Sequence, residues 1–398
     1  MHHHAPADSA ASTRASALEA LRQRAKTLRE HLLGSSPLPS PPPPPPVSAA
    51  PAQQYQRLVE MGLGLQGEGK LPEALAKFDE ATRVDPSDHE AHNAYAIALL
   101  RAGRLKESAD HSRRALALKS EGRFHVNLGA ALYEQRDFVG AIRAFEAAVR
   151  VNPADATSHL NLANALSEVH LFAASIKHFE HALTIQPAFV EARANMERNK
   201  ETVCDWDQRE QRFRRLRAEV EAQLARGDTS VVRPWHALAY PWPPALLRRM
   251  SRSFSDKTLR DVHLQGLAPL TCSPPAPSPT RRIVLGYVSY CFSAHPTTYL
   301  LGSVFRQHNR PRVHAHCYAL NAHDDSQQRA AVERECETFQ AVDSLPTADI
   351  AELINRHAVH VTINLDGWTS MGRTNEIFAL TPAPVQIQVC IRPHVRAR

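Results

Sequence analysis

Between residues 62 and 187 small and large side chains return in the same order every 33 or 34 positions, and this recurrence constrains the fold more than any other feature of the chain. Ala74, Phe78, Ala81 and Pro86 are answered by Ser108, Ser112, Ala115 and Ser120, then by Ala141, Phe145, Ala148 and Pro153, then by Ser175, Phe179, Ala182 and Pro187. Twelve residues before each leading small residue stands another, Gly62, Ala96, Gly129 or Ala163, with Leu65, Leu99, Leu132 and Leu166 three places further on. An ordinary helical bundle does not hold six positions in register over four units. The period describes tetratricopeptide repeats, in which two antiparallel helices per unit meet where small residues let them close up.

A second period lies inside the first. Asn127, Asn161 and Asn195 are 34 apart, each followed by a leucine or methionine; Asn93 lies a further 34 before Asn127 but one residue off the equivalent place in its repeat, three before Ala96 where Asn127 and Asn161 stand two before Gly129 and Ala163. Stacked repeats align such side chains as a ladder along an inner groove, where amides with two donors and an acceptor grip an extended peptide whatever its side chains. Local capping or solvation is the competing reading, and spacing alone leaves both open.

The flanks differ in kind. Residues 1–36 form an arm with one amphipathic helix between Ala15 and Leu33, and 37–52 a linker whose six consecutive prolines, Pro41 to Pro46, impose a stiff polyproline spacer. Repeats occupy 53–203. Residues 204–280 read as an inter-domain segment, with an arginine-rich helix after Cys204-Asp205-Trp206, an aromatic stretch from Val231 to Leu247 packed between two domains, and a second proline-rich spacer at Ser273 to Pro279. From residue 281 to 390 strands at Ile283–Ser289, Val313–Leu320, Phe339–Asp343, Val359–Leu365 and Pro384–Val389 alternate with helices at Thr297–His308, Asp325–Glu337 and Ala348–His357. That alternation predicts a doubly wound, Rossmann-like parallel sheet with its ligand beyond the carboxyl ends of the strands. Residues 391–398 fit neither pattern.

Several classes drop out. Forty-seven basic against 41 acidic side chains make a mixed surface, which gives nucleic-acid binding little support. Ile283 to Phe305 carries no charge, but His295, Pro296 and several hydroxyls make it too polar for a membrane span. The six cysteines lack paired spacing and read as reduced thiols, and no histidine pairs with cysteine or carboxylate at metal-ligand spacing.

The first strand is not succeeded by a glycine-rich phosphate fingerprint. It runs out instead into Ser289-Tyr-Cys-Phe-Ser-Ala-His295-Pro296-Thr297-Thr298. A histidine at a strand-to-helix turn stays neutral near the helix N-terminus and can take a proton near pH 7, or it can merely cap the helix. His360 alternates with apolar neighbours and reads as a core histidine. Asp366 and Thr369 lie in the polar turn that ends its strand.

These motifs together have a family likeness. Repeats with an asparagine ladder, Cys204-Asp205-Trp206, Gly286-Tyr287-Val288-Ser289, Phe292-Ser-Ala-His295-Pro296-Thr297, Asn364-Leu-Asp-Gly367-Trp-Thr369 and Arg373-Thr-Asn375-Glu376-Ile-Phe378-Ala379-Leu380-Thr-Pro382-Ala-Pro384-Val385-Gln386 resemble the protein O-linked N-acetylglucosamine transferase family over roughly residues 55 to 387. The resemblance implies a GT-B fold of two Rossmann domains, inverting and metal-free, with no cofactor beyond its donor substrate UDP-N-acetylglucosamine. It implies transfer to serine or threonine hydroxyls of proteins in the cytoplasm or nucleus. It makes the histidine at 295 the general base, places Thr297, Thr298, His360, Asp366 and Thr369 about the acceptor and sugar cleft, and gives Asn127, Asn161 and Asn195 the acceptor protein to hold. Pairing of two chains through the repeats is open. The tail after Gln386 resembles nothing in the family, so the expectation is an incomplete chain without the donor-binding domain. The rival reading is a non-catalytic repeat scaffold that binds peptides.

Overall fold

The computed structural model describes residues 51–272, 282–367 and 373–388. The arm, the polyproline run, the spacer at 273–279 and the tail at 391–398 lie outside them. The chain divides into two compact units, Met1–Arg212 and Phe213–Arg398.

In the first unit the repeat pattern becomes nine helices among the described residues. They are α1 (Pro51–Gly67), α2 (Leu71–Val84), α3 (His89–Arg101), α4 (Leu105–Leu118), α5 (Gly122–Glu134), α6 (Phe138–Val151), α7 (Ala156–Glu168), α8 (Phe172–Ile185) and α9 (Val190–Thr202). Paired helices touch at the small residues. A β-carbon on Gly62 would lie 2.6 Å from the Phe78 ring, and one on Gly129 would lie 2.5 Å from the ring of Phe145. Phe78 and Phe179 are fully buried and Phe145 nearly so. Ser112 takes the phenylalanine's place in the second repeat, and its buried hydroxyl has no partner. The turn inside each repeat needs one left-handed residue. Gly69 and Gly103 supply it in the first two repeats, while Arg136 and His170 adopt φ of 63° and 61° in the next two.

The repeats also carry a histidine column that spacing alone did not reveal. His92 on α3 and His159 on α7 stand four residues before Ala96 and Ala163. Each sets Nε2 against the carbonyl of the turn proline, Pro86 at 3.2 Å and Pro153 at 3.1 Å. Arg193 on α9 makes the same contact with Pro187 at 2.7 Å. With Nε2 donating, Nδ1 must accept, and it does so from Nδ1–H of His111 at 2.9 Å or of His178 at 3.1 Å. Burial, then the adjacent imidazole, holds His111 and His178 down at about 4.

The second unit is built on a five-stranded parallel sheet: β1 (Ile283–Ser289), β2 (Val313–Ala319), β3 (Thr338–Ala341), β4 (Val361–Asn364) and β5 (Val385–Gln388), in the order β3-β2-β1-β4-β5. Alternation along the strands feeds two cores. Tyr287 and Cys317 pack on one face with Phe292, Phe305 and Val332; Val288 and Tyr318 pack on the other with Ile350, Ile354 and Ile377.

Helices α10 (Arg209–Ala225), α11 (Pro234–Ala237) and α12 (Pro244–Leu264) precede the sheet. Of the residues read as an inter-domain segment, 204–280, those from Phe213 onward group with the sheet unit. Val262 of α12 is buried in its second core. Leu270 N–H donates to Leu380 and the Thr381 hydroxyl to Leu270, at 2.8 and 3.0 Å. The aromatic stretch likewise packs inside this unit, with the rings of Phe213, Tyr240 and Trp242 in sequence 4.5 and 5.0 Å apart.

Two further expectations change. The helix expected over 297–308 breaks at Gly302 and Ser303 into α13 (Pro296–Leu301) and α14 (Val304–Gln307). The remaining helices are α15 (Gln327–Glu335), α16 (Thr347–Arg356) and α17 (Arg373–Ala379). Not every thiol is free, either. Cys317 and Cys336 form a disulfide, because parallel pairing of β2 with β3 sets the residue capping α15 beside the middle of β2. Cys204, Cys272 and Cys291 are free, and Cys390 lies outside the described residues. Among the described residues no helix is long and apolar enough to cross a membrane.

The glycine contacts and the histidine column are each open to a stability measurement. Gly129→Val drives a methyl pair into Phe145 and lowers stability by about 1–3 kcal/mol in a urea titration. The unfolded chain protonates His111 and His178 near 6.5 and the folded chain only near 4, so their stabilisation is complete above pH 6.5 and is lost as pH falls from 6.5 toward 4. Urea midpoints followed by helical circular dichroism at about pH 7.5 and about pH 4.5 should therefore differ more in the parent than in the double variant His111→Gln, His178→Gln.

Candidate active site

In a sheet of this strand order the connections leaving β1 and β4 run to opposite faces, so a crevice opens between their carboxyl ends. Asp366, two residues past β4, closes the floor of that crevice. Its Oδ1 accepts from the Ser289 hydroxyl at 2.5 Å, and its Oδ2 accepts from Tyr290 N–H at 2.9 Å and from the Thr374 hydroxyl at 2.7 Å. Asp366 is 2% exposed and Ser289 and Thr374 are fully buried. The carboxylate therefore ties the end of β1 to the end of β4 and to α17.

A second knot lies beside it. Asn364 Oδ1 accepts from the backbone N–H of Asp366 and Gly367, both at 2.9 Å, while its amide donates to Asn375 Oδ1 at 3.1 Å. Asn375 returns a bond to the Gly367 carbonyl at 3.0 Å. A cavity of about 300 Å³ next to this knot is lined by Asn364, Asn375, Gln386, Gln388 and Thr258 among others.

His295 reaches the same edge, exposed, six residues beyond β1. Its Nδ1 accepts from Thr297 N–H at 3.2 Å, which makes it the N-cap of α13, and its Nε2 lies 3.8 Å from Cys291 Sγ. A ring accepting at Nδ1 carries its proton on Nε2 when neutral, so its basic lone pair is the one facing Thr297. Cys291 offers no competing nucleophile. Burial and the nearby Asp366 carboxylate push its thiol up to about 12.

The other expected residues divide. Thr297 flanks His295 through its backbone N–H. Thr298 has a buried hydroxyl that donates to the Cys291 carbonyl and holds the loop. Asp366 lies at the crevice floor, where three donors surround its buried carboxylate. His360 does not join the site. It precedes β4, with its Nδ1 accepting from Val284 N–H at 3.1 Å near the start of β1, which is the amino-terminal edge of the sheet. Thr369 lies outside the described residues. Ser289, Asn364, Thr374 and Asn375 build the site without having been expected to. For Ser289 and Asn364 the sequence signal was a polar residue at the end of an inner strand; Thr374 and Asn375, in the first turn of α17, had no such signal.

In the repeat unit the ladder asparagines sit half-buried on α5, α7 and α9. Asn127 donates to Asn93 at 2.6 Å, which brings the apparently misregistered Asn93 into the row, and Asn195 donates to Asn164 at 3.0 Å. Asn161 and Asn164 line a cavity of about 540 Å³ with Arg101, Tyr133 and Glu134. On the same unit the ligand atoms of His89, Glu90 and Glu121 lie within 4.8 Å of one another. Both carboxylates are already engaged by cations, Glu121 by Lys119 and Arg123 and Glu90 by Arg123.

Comparison with known proteins agrees with this division. Residues 203–394 match the family model described as Glycosyl transferase family 41, and residues 59–122 and 126–188 match Tetratricopeptide repeat. Over 191 residues the chain is 37% identical to the probable UDP-N-acetylglucosamine--peptide N-acetylglucosaminyltransferase SEC of Arabidopsis thaliana, covering 46% of this chain and 19% of that protein. It is 35% identical over 189 residues to the UDP-N-acetylglucosamine--peptide N-acetylglucosaminyltransferase of Caenorhabditis elegans, covering 46% and 16%. The chain thus matches less than a fifth of the length of these relatives. A solved O-GlcNAc transferase mutant of Thermobaculum terrenum aligns over 86% of this chain and 51% of its own at 20% identity, with a TM-score of 0.37 that carries no argument.

Removing the carboxylate at the crevice floor leaves two hydroxyls and an N–H buried without an acceptor. Asp366→Ala should therefore lower stability by about 2–4 kcal/mol in urea, measured by intrinsic fluorescence.

Proposed function

We propose, from the match of residues 203–394 to the family model described as Glycosyl transferase family 41, that this chain takes part in moving N-acetylglucosamine from UDP-N-acetylglucosamine to serine or threonine hydroxyls of proteins, with His295 as the general base. The supporting observation is the exposed His295 imidazole at the carboxyl edge of β1, beside the β1–β4 crevice whose floor Asp366 fixes. In this reading the acceptor oxygen attacks the anomeric carbon, the bond from that carbon to the diphosphate oxygen breaks with its electron pair going to UDP, and the hydroxyl proton goes to His295. The lone pair that receives it is that of Nδ1, so the acceptor hydroxyl replaces Thr297 N–H as the partner of that nitrogen. The cap seen in the structure is then the resting arrangement of the base.

Acceptor protein is assigned to the repeat groove, where Asn127, Asn161 and Asn195, joined by Asn93 and Asn164, offer amides to an extended backbone. The scaffold reading keeps this groove and drops the chemistry. The proposed activity requires no metal, and a place in the cytoplasm or nucleus accords with the family's intracellular acceptors.

The deciding experiment incubates the chain with UDP-N-acetylglucosamine and a serine-rich peptide, reads the sugar adduct by mass spectrometry, and titrates UDP calorimetrically in parallel. Transfer that falls about 10²–10⁴-fold in His295→Asn supports the base. Saturable peptide binding, weakened by Asn127→Ala and Asn161→Ala, without transfer or UDP binding would leave the scaffold.

A further inference from the structure

In the loop that delivers His295, the Thr298 hydroxyl holds the Cys291 carbonyl, but the segment from Phe292 to Ala294 has little to hold it from within. Its backbone closes two successive three-residue turns, Ser293 N–H to the Cys291 carbonyl at 2.8 Å and His295 N–H to the Ser293 carbonyl at 2.7 Å. Such narrow rings do not by themselves fix a conformation. Support arrives instead from one stretch after β2. Asn321 Nδ2 and Arg329 Nη1 both donate to the Phe292 carbonyl, at 3.0 and 3.2 Å. Two residues further on, Ala294 N–H donates to Asp324 Oδ2 at 2.9 Å.

Each gripping group is itself fixed. Arg329 is only 1% exposed, a burial that a guanidinium tolerates where its donors are filled. Glu333 accepts from its Nε at 2.7 Å, Asn321 Oδ1 lies 3.4 Å from its Nη1, and its guanidinium carbon stands 4.4 Å from the centre of the Phe339 ring. Asp324 uses its other oxygen to accept from the N–H and hydroxyl of Ser326, at 3.2 and 2.8 Å. Ser326 in turn caps α15 by accepting from Arg329 N–H. The grip is therefore rooted in a helix and a strand.

We propose that Asn321, Asp324 and Arg329 are positioning residues that set the His295 imidazole at the crevice, an inference that rests on the reading of His295 as the base. Arg329 and Asn321 fix where the loop leaves the sheet. Asp324 fixes the Ser293–Ala294 peptide, one peptide before the bond that leads into His295, and so constrains the direction from which the backbone reaches the ring. None of the three touches the reacting atoms, so their effect should appear in the state of the imidazole and in turnover more than in peptide affinity.

The test uses the full chain labelled with ¹⁵N-histidine, the His295 signals being assigned by their loss in His295→Gln. Asp324 is exposed, so Asp324→Ala removes the acceptor without emptying a core. In the parent the His295 Nδ1 resonance should sit at the value of a hydrogen-bonded acceptor nitrogen. In Asp324→Ala it should move toward that of a free imidazole, and peptide turnover should fall roughly ten- to a hundred-fold with the peptide KM unchanged. Asp324→Asn, which keeps an oxygen facing Ala294 N–H, should restore both. Arg329→Lys should move the same resonance in the same direction as Asp324→Ala. An Nδ1 resonance in Asp324→Ala that superimposes on the parent's overturns the proposal. If His295→Gln turns over as fast as the parent, the base reading falls, and the resonance still decides whether the grip orders the ring.

Discussion

A single buried carboxylate holds the crevice of the sheet unit in shape. Parallel strands have no hairpins to fix the relation of their ends, and the two strands that diverge at a switch point have only the ladder between them. Asp366 spans that divergence by accepting from Ser289 and Tyr290 on the β1 side and from Thr374 on α17. With this point fixed, the loop after β1 starts from a defined place, and the Cys291 N–H bond to the Ser289 hydroxyl carries the order one residue further. The exposed imidazole at position 295 lies at the end of a chain of such bonds, each made by a group that is itself held.

The repeat unit is ordered differently, by close approach instead of by polar knots. Gly62 and Gly129 leave no room for a β-carbon over the phenylalanine rings, so helix pairing is decided by volume. Polar groups appear where the helices face the turns, as the bonds from His92, His159 and Arg193 to the turn carbonyls. They also appear along the asparagine row, where neighbouring amides bond each other. Amides that already share one bond are pre-arranged, which would reduce the ordering cost of the peptide binding proposed for them.

The architecture was legible in the sequence because it is written in period. A 34-residue recurrence survives even where Ser112 replaces a phenylalanine, and β1 was bounded correctly at Ile283 and Ser289 because apolar continuity marks a buried strand. The site was legible only in part. His295 stood out as a histidine before a proline at a strand end. Asp366 stood out too, but its burial did not, because a polar turn looks the same whether its carboxylate faces solvent or two strand ends. Alternation read His360 as a core histidine and only the resemblance put it at the cleft; its ring accepts from Val284 N–H near the start of β1. Long-range pairings such as Cys317 with Cys336, Arg329 with Phe292 and Leu270 with Leu380 leave no local pattern.

Ser112 has a consequence for how the array opens. In a stack where each repeat contacts only its neighbours, resistance to local opening is the sum of each repeat's own packing and the two interfaces it shares. The second repeat has a hydroxyl without a partner where the others bury an aromatic ring. Amide exchange in α3 and α4 should accordingly outpace that of α5 to α8, and the array should breathe from this unit outward before the whole unfolds. If the groove holds acceptor protein as proposed, its weakest joint lies beside the first asparagines of the row, where widening would admit a polypeptide sideways with no free end needed for threading.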